Sequence, residues 1–118
     1  MGDVDFTFDD IPNAPLFSTS FVIITAWNPE NTTLSELENI QNNQRLEKVL
    51  ESMGKDFVPA LGYLDKHSEE SYCVFKLDLQ QALDLGKRFR QFSIFYYGCD
   101  FLGYYEVATS QPILERTL

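Results

Sequence analysis

Phe21-Val22-Ile23-Ile24-Thr25-Ala26-Trp27-Asn28-Pro29 opens with four consecutive apolar residues and closes on a polar turn. A strand that is apolar at every position buries both faces, so Phe21 to Ala26 reads as a central strand of a sheet. Pro29 has no N–H to give to a ladder and ends it. Beyond the proline, Thr33-x-x-Glu36 and Ser35-x-x-Glu38 both match the capping box, which predicts a helix starting near residue 34. That helix runs to Met53, with Gly54 as its C-terminal stop.

At about 100° per residue, Leu46, Val49, Leu50 and Met53 share one stripe of this helix. Steps of three and four residues back from Leu46 land on Asn42, Asn43, Asn39 and Ser35. The stripe that faces the core at the end of the helix is therefore polar at its start. Two readings remain open. The first turns overhang the sheet and their amides meet water or cap the backbone. Alternatively, they line a cleft beside Trp27 and Asn28, where Thr25, Trp27, Asn28, Ser35, Asn39, Asn42 and Asn43 would hold a ligand. Amides neither titrate nor attack, so such a cluster points to recognition and not to catalysis.

Further along, Asp56 to Leu64 reads as a strand broken or bulged by Pro59 and Gly62, and hence an edge. Asp65 to Glu70 reads as a polar loop, and Ser71 to Leu77 as the next strand. Asp78-x-x-Gln81 opens a second helix through Leu79, Ala82, Leu83 and Gly86 to Phe89. Gly86 lies on the apolar line of that helix, where close packing on a sheet would account for it. Ser93 to Tyr97 and Tyr104 to Ala108 form two aromatic strands, joined as a hairpin through Gly98 to Gly103. The order β-α-β-β-α-β plus one C-terminal strand predicts an α+β, ferredoxin-like fold. Its two helices would cover one face of a mostly antiparallel sheet, with the first and third of these strands in the middle. Residues 1–20 read as an acidic arm (Asp3, Asp5, Asp9 and Asp10, with Phe6, Phe8 and Phe17 as anchors), and 21–118 as a single domain.

The chain has 118 residues and a formal charge of −9, with its basic island at Lys76, Lys87, Arg88 and Arg90. That balance disfavours direct binding to nucleic acid, where phosphate contacts dominate affinity. It allows an acidic surface to dock on a basic partner. No segment approaches the roughly 20 apolar residues of a membrane span, and the N-terminus lacks the apolar core of a signal peptide. Two cysteines, Cys73 and Cys99, make no disulfide framework, so a reducing cytoplasm is the expected setting. No metal, cofactor or catalytic constellation is expected. His67 is the only histidine, and Cys73, its nearest thiol, falls mid-strand, a poor place for a thiolate. In the hairpin, Phe95, Tyr97, Tyr104 and Tyr105 are expected at an interface, covered by the arm, a second protomer making a homodimer, or another partner.

The Phe-Val-Ile-Ile-Thr25-Ala26-Trp27-Asn28-Pro29 stretch, followed by Ser35, Asn39 and Asn43 ahead of Leu46 and Leu50, resembles the bacterial domain of unknown function 3293 family. Ala82 to Gln91 resembles that family's second helix, so the resemblance covers roughly residues 21 to 97. It implies a small stand-alone bacterial protein and brings no activity, cofactor or catalytic residue. The expected function is a non-enzymatic binding or regulatory module for a small molecule or protein. An acidic inhibitor or decoy of a basic nucleic-acid-handling partner is the alternative, and a small hydrolase a more distant one.

Overall fold

The computed structural model describes residues 4–6, 19–29, 32–64, 67–98 and 100–117, with the backbone alone for 4–6, 61–64 and 67–69. In chain order the elements are β1 (Val4–Phe6), β2 (Phe21–Ile24), α1 (Glu36–Ser52), β3 (Phe57–Leu64), β4 (His67–Phe75), α2 (Leu79–Arg88), β5 (Ser93–Tyr97), β6 (Phe101–Glu106) and β7 (Pro112–Thr117). They form one sheet in the order β1-β3-β4-β2-β5-β6-β7. The inner four strands, β3-β4-β2-β5, pair antiparallel with one another and carry the ferredoxin-like arrangement. The fold is α+β, as the element order predicts, with β2 and β4 at its centre.

Both helices sit on one face. Leu46 and Leu50 of α1 and Ala82, Leu83 and Leu85 of α2 share a core with Val22, Ile24, Val74 and Ile94. The period of two sends the alternate residues Phe21, Ile23, Cys73, Phe95, Tyr97 and Leu102 to the opposite face, where they form a second buried cluster. Of the two overlapping capping boxes, the one that forms is Ser35 with Glu38. The Ser35 hydroxyl accepts from the Glu38 N–H, and the Glu38 carboxylate accepts from the Ser35 N–H. Asp78 and Gln81 make the same exchange at the start of α2.

Several boundaries differ from expectation. β3 is unbroken, in continuous register with β4 from Phe57↔Val74 to Leu64↔His67. Pro59 is accommodated because β1 pairs with β3 only over Ala60 to Gly62, where no proline N–H is needed. The polar loop expected over Asp65 to Glu70 is mostly strand, since β4 begins at His67. Backbone pairing extends this hairpin, and a periodicity argument built on apolar side chains cannot register it. β6 begins at Phe101, not Tyr104, because the turn is tight: the Gly98 N–H bonds the Phe101 carbonyl at 2.9 Å. Pro112–Thr117, where the sequence is uninformative, is the edge strand β7, paired to β6. Within the acidic arm, Val4 to Phe6 add a parallel strand beside β3. Phe8, Phe17 and Cys99 lie outside the described residues. Among the described residues, no helix is long and apolar enough to cross a membrane.

Candidate functional site

Beyond Ile24 the chain leaves its strand neighbours, so the N–H groups of Ala26 and Asn28 lose their ladder partners. Buried backbone donors must be satisfied somewhere. Here the asparagines of α1 do it. Asn43 Oδ1 accepts from the Ala26 N–H at 2.9 Å, and Asn39 Oδ1 accepts from the Asn28 N–H at 2.7 Å. A two-residue advance along extended chain covers at most about 6.6 Å, and four residues of helix cover about 6 Å. Amides at i and i+4 on α1 can therefore serve alternate N–H groups of the turn. The polar stripe replaces the missing strand.

The remaining amide groups close the same network. Asn39 Nδ2 donates to Asn28 Oδ1 at 2.8 Å, and that oxygen also takes the Leu34 N–H at 3.0 Å. Asn43 Nδ2 donates to the Glu70 carbonyl at 3.0 Å, and the Thr25 hydroxyl donates to it at 2.6 Å. This ties the turn to β4. Asn28 holds a left-handed backbone with φ of +46°, a conformation asparagine tolerates better than most residues. Asn39 and Asn43 are 2% and 5% exposed, so both are structural clamps set within the protein.

A cleft of about 430 Å³ lies on the other side of this clamp. Ala26, Pro29, Thr32 and Leu34 from the turn, Glu38, Gln41, Asn42 and Arg45 from α1, and Phe89 and Arg90 from the end of α2 line it. Of the seven ligand-binding candidates (Thr25, Trp27, Asn28, Ser35, Asn39, Asn42 and Asn43), Asn42 is the one that lines the cleft. Its Oδ1 accepts from the Arg45 guanidinium one turn further along α1. Thr25, Asn28, Asn39 and Asn43 stand behind the wall, Ser35 caps α1, and the Trp27 carbonyl accepts from Gln91 Nε2 at 3.3 Å. Sequence reasoning passes over Arg45, Phe89 and Arg90 as cleft residues. One signal was legible: an arginine stands just past the end of α2, at the position where α1 carries Gly54.

The four aromatic interface candidates do not share a face. Phe95, Tyr97 and Tyr104 gather on the side away from the helices, with Phe95 edge-on to Tyr104 at 5.2 Å and Tyr97 stacked on Phe21 at 4.9 Å. Tyr105 turns to the helix side, where its hydroxyl donates to Glu115 Oε2 at 2.7 Å. Burial, followed by that bond to a carboxylate, raises the Tyr105 pKa and keeps the phenol protonated. Phe95, Tyr97 and Tyr105 are all buried within the single chain.

Cys73 sits mid-strand in β4 opposite Ile23 and Val58, and burial pushes its thiol up to about 12. A thiol so protonated is a weak nucleophile. In a Cys99→Ser variant, Cys73 should resist Ellman's reagent at pH 8 in the native protein and react fully once unfolded. Rapid native reaction would contradict its burial. His67 pairs with Leu64 at the start of β4, and its side chain is outside the described residues. Among the described residues, no group of three or more His, Cys, Asp or Glu could hold a metal ion.

Fold and site together define a ferredoxin-like α+β domain with an amide-clamped turn and a cleft between its two helices. The chain belongs to the family of proteins of unknown function DUF3293, whose model matches residues 24–94, more than half of its length. The match takes in the clamp and both cleft arginines, and leaves β1, β6 and β7 outside. No curated protein and no solved structure matches the chain.

Proposed function

We propose that this protein is a non-enzymatic binding module whose ligand occupies the cleft between the start of α1 and the end of α2. The observation that supports it most is the division of labour among the asparagines. Asn39 and Asn43 are spent on rigidifying the turn, which leaves a pre-formed cavity of ligand size lined by Gln41, Asn42, Arg45 and Arg90. A site on packed elements, with its orienting groups already bonded, suits recognition. Its lining combines apolar surface from Leu34 and Phe89 with amide and guanidinium groups, a mixture suited to a small polar molecule.

A second reading, an acidic surface that docks on a basic partner, draws on the same helix. Leu37 is 65% exposed and Ile40 is also exposed, next to Glu36 and Glu38. The two readings separate by mapping. In a metabolite screen followed by amide chemical-shift mapping, hits should perturb Asn42, Arg45 and Arg90 together. Hits that perturb only the Leu37 and Ile40 ridge, or that leave all three cleft residues unmoved, would overturn the cleft reading.

A further inference from the structure

A row of side chains crosses the sheet on the face away from the helices, and it ends in the open. Register places Val58 opposite Cys73, Cys73 opposite Ile23, Ile23 opposite Phe95, Phe95 opposite Tyr104 and Tyr104 opposite Leu114. Opposite residues of a ladder point to the same face, so these six side chains form one line across six strands. Val58, Cys73, Ile23 and Phe95 are buried, and Tyr104 is half-buried against them. Leu114, the last of the line, is 48% exposed. The row is covered along its length and cut off at β7, where a further strand would stand about 4.8 Å away.

β7 is also the less protected of the two edges of the sheet. An edge strand presents backbone N–H and C=O groups along its outer side, and proteins blunt such edges with short strands, charge or proline. At the other edge, β1 is three residues long and carries Asp5. β7 runs for six residues, with its proline, Pro112, at the first position. Its middle holds Ile113 and Leu114, both exposed.

Charge and symmetry indicate which strand completes this edge. Glu115 and Arg116 leave β7 formally neutral in a chain of net charge −9. Two copies repel each other less along a neutral strand than along an acidic one. A two-fold axis perpendicular to the sheet makes identical strands antiparallel and sets one residue opposite its own copy. Centring on Glu115 or Arg116 would oppose like charges, which destabilises a ladder. Centring on Ile113 would set Glu115 opposite Gln111, outside the strand. Centring on Leu114 pairs Pro112 to Arg116 wholly within β7, with Ile113 opposite Glu115 and leucine on leucine. The apolar row then runs from Phe95 and Tyr104 through both leucines into the same residues of the second copy.

We infer that β7 is a self-association edge, at which a second copy of this chain pairs antiparallel about Leu114. The surface is separate from the cleft and independent of what binds there. Light scattering after size exclusion, over about 1 μM to 1 mM protein, should show the mass rising towards twice that of the monomer. A single strand pair makes a small, weak interface, so the rise falls in that range. Leu114→Lys places like charges at the centre and should weaken the dimer about tenfold or more. Because the site is exposed, its melting at low concentration should match wild type. A disulfide tests the register. In a Cys99→Ser background, where Cys73 is buried, Leu114→Cys should cross-link between copies well before Leu37→Cys, although Leu37 is the more exposed residue.

The inference is overturned if wild type stays monomeric throughout, which would leave the edge to a strand of another protein. It is equally overturned if Leu114→Lys dimerises as wild type does, or if the two cysteine variants cross-link at the same rate. Either result would place any dimer elsewhere on the surface.

Discussion

Asn43→Leu should destabilise the protein by about 2–5 kcal/mol in chemical denaturation, although leucine keeps the branching at Cγ and favours the helix more. The reason is what the side chain serves. Asn43 Oδ1 is the acceptor for the N–H of Ala26, a residue with no exposure, and its Nδ2 satisfies the Glu70 carbonyl. Leucine fills the space and pairs with neither group, so each backbone group bears its desolvation cost, about 1–3 kcal/mol apiece. Asn39→Leu should behave alike through the Asn28 N–H. Because both amides brace one turn, the double variant should fall short of the sum of the singles. A loss below about 0.5 kcal/mol for Asn43→Leu would mean that water reaches these groups and that the clamp is not structural.

Gly86→Val should cost about 3 kcal/mol, against the ordinary expectation that filling a helix glycine helps. A Cβ on Gly86 would stand 2.7 Å from Val107 Cγ2, 3.3 Å from Val107 Cγ1 and 3.4 Å from Ile94 Cγ2. Valine is stiff at χ1, and both neighbours are buried, so neither can swing aside. The companion variant Val107→Ala removes the obstruction. Alone it should destabilise by leaving a cavity; combined with Gly86→Val it should recover more than half of the loss. Strict additivity of the two would refute the packing account. Gly54 is a useful contrast, since a Cβ there meets nothing within 4 Å and only its φ of +70° resists substitution. One glycine is kept for space, the other for backbone conformation.

How far the chain could be read from its sequence depended on whether the governing interaction was local. Ser35-x-x-Glu38 and Asp78-x-x-Gln81 place both helix starts correctly because a cap is completed within four residues. Phe21 to Ile24 declares a central strand because burial on both faces leaves no polar position. The outer half of the β3–β4 hairpin and strand β7 escaped notice for the opposite reason. Their pairing is carried by backbone groups that every residue possesses, and β7 is exposed along most of its length. The division of the aromatic residues between two faces has a local cause: Tyr104 and Tyr105 are sequence neighbours, and a period of two places them on opposite sides.

Residue type, periodicity and capping were enough to determine an α+β fold of ferredoxin-like order, with a polar stripe at the start of α1. They also joined Thr25 to Pro29 with Asn39 and Asn43 as one unit. Only the tertiary structure decided what that unit is for. An amide can equally bind a ligand, water or a backbone N–H, and nothing in its spacing discriminates among them. The choice depends on which donors the departing strand leaves unpaired, a distance of 11 or 17 residues along the chain. The same is true of the cleft. Arg45 lies on α1 and Arg90 just past the end of α2, and only the packing of both helices on one sheet brings them to a single cavity.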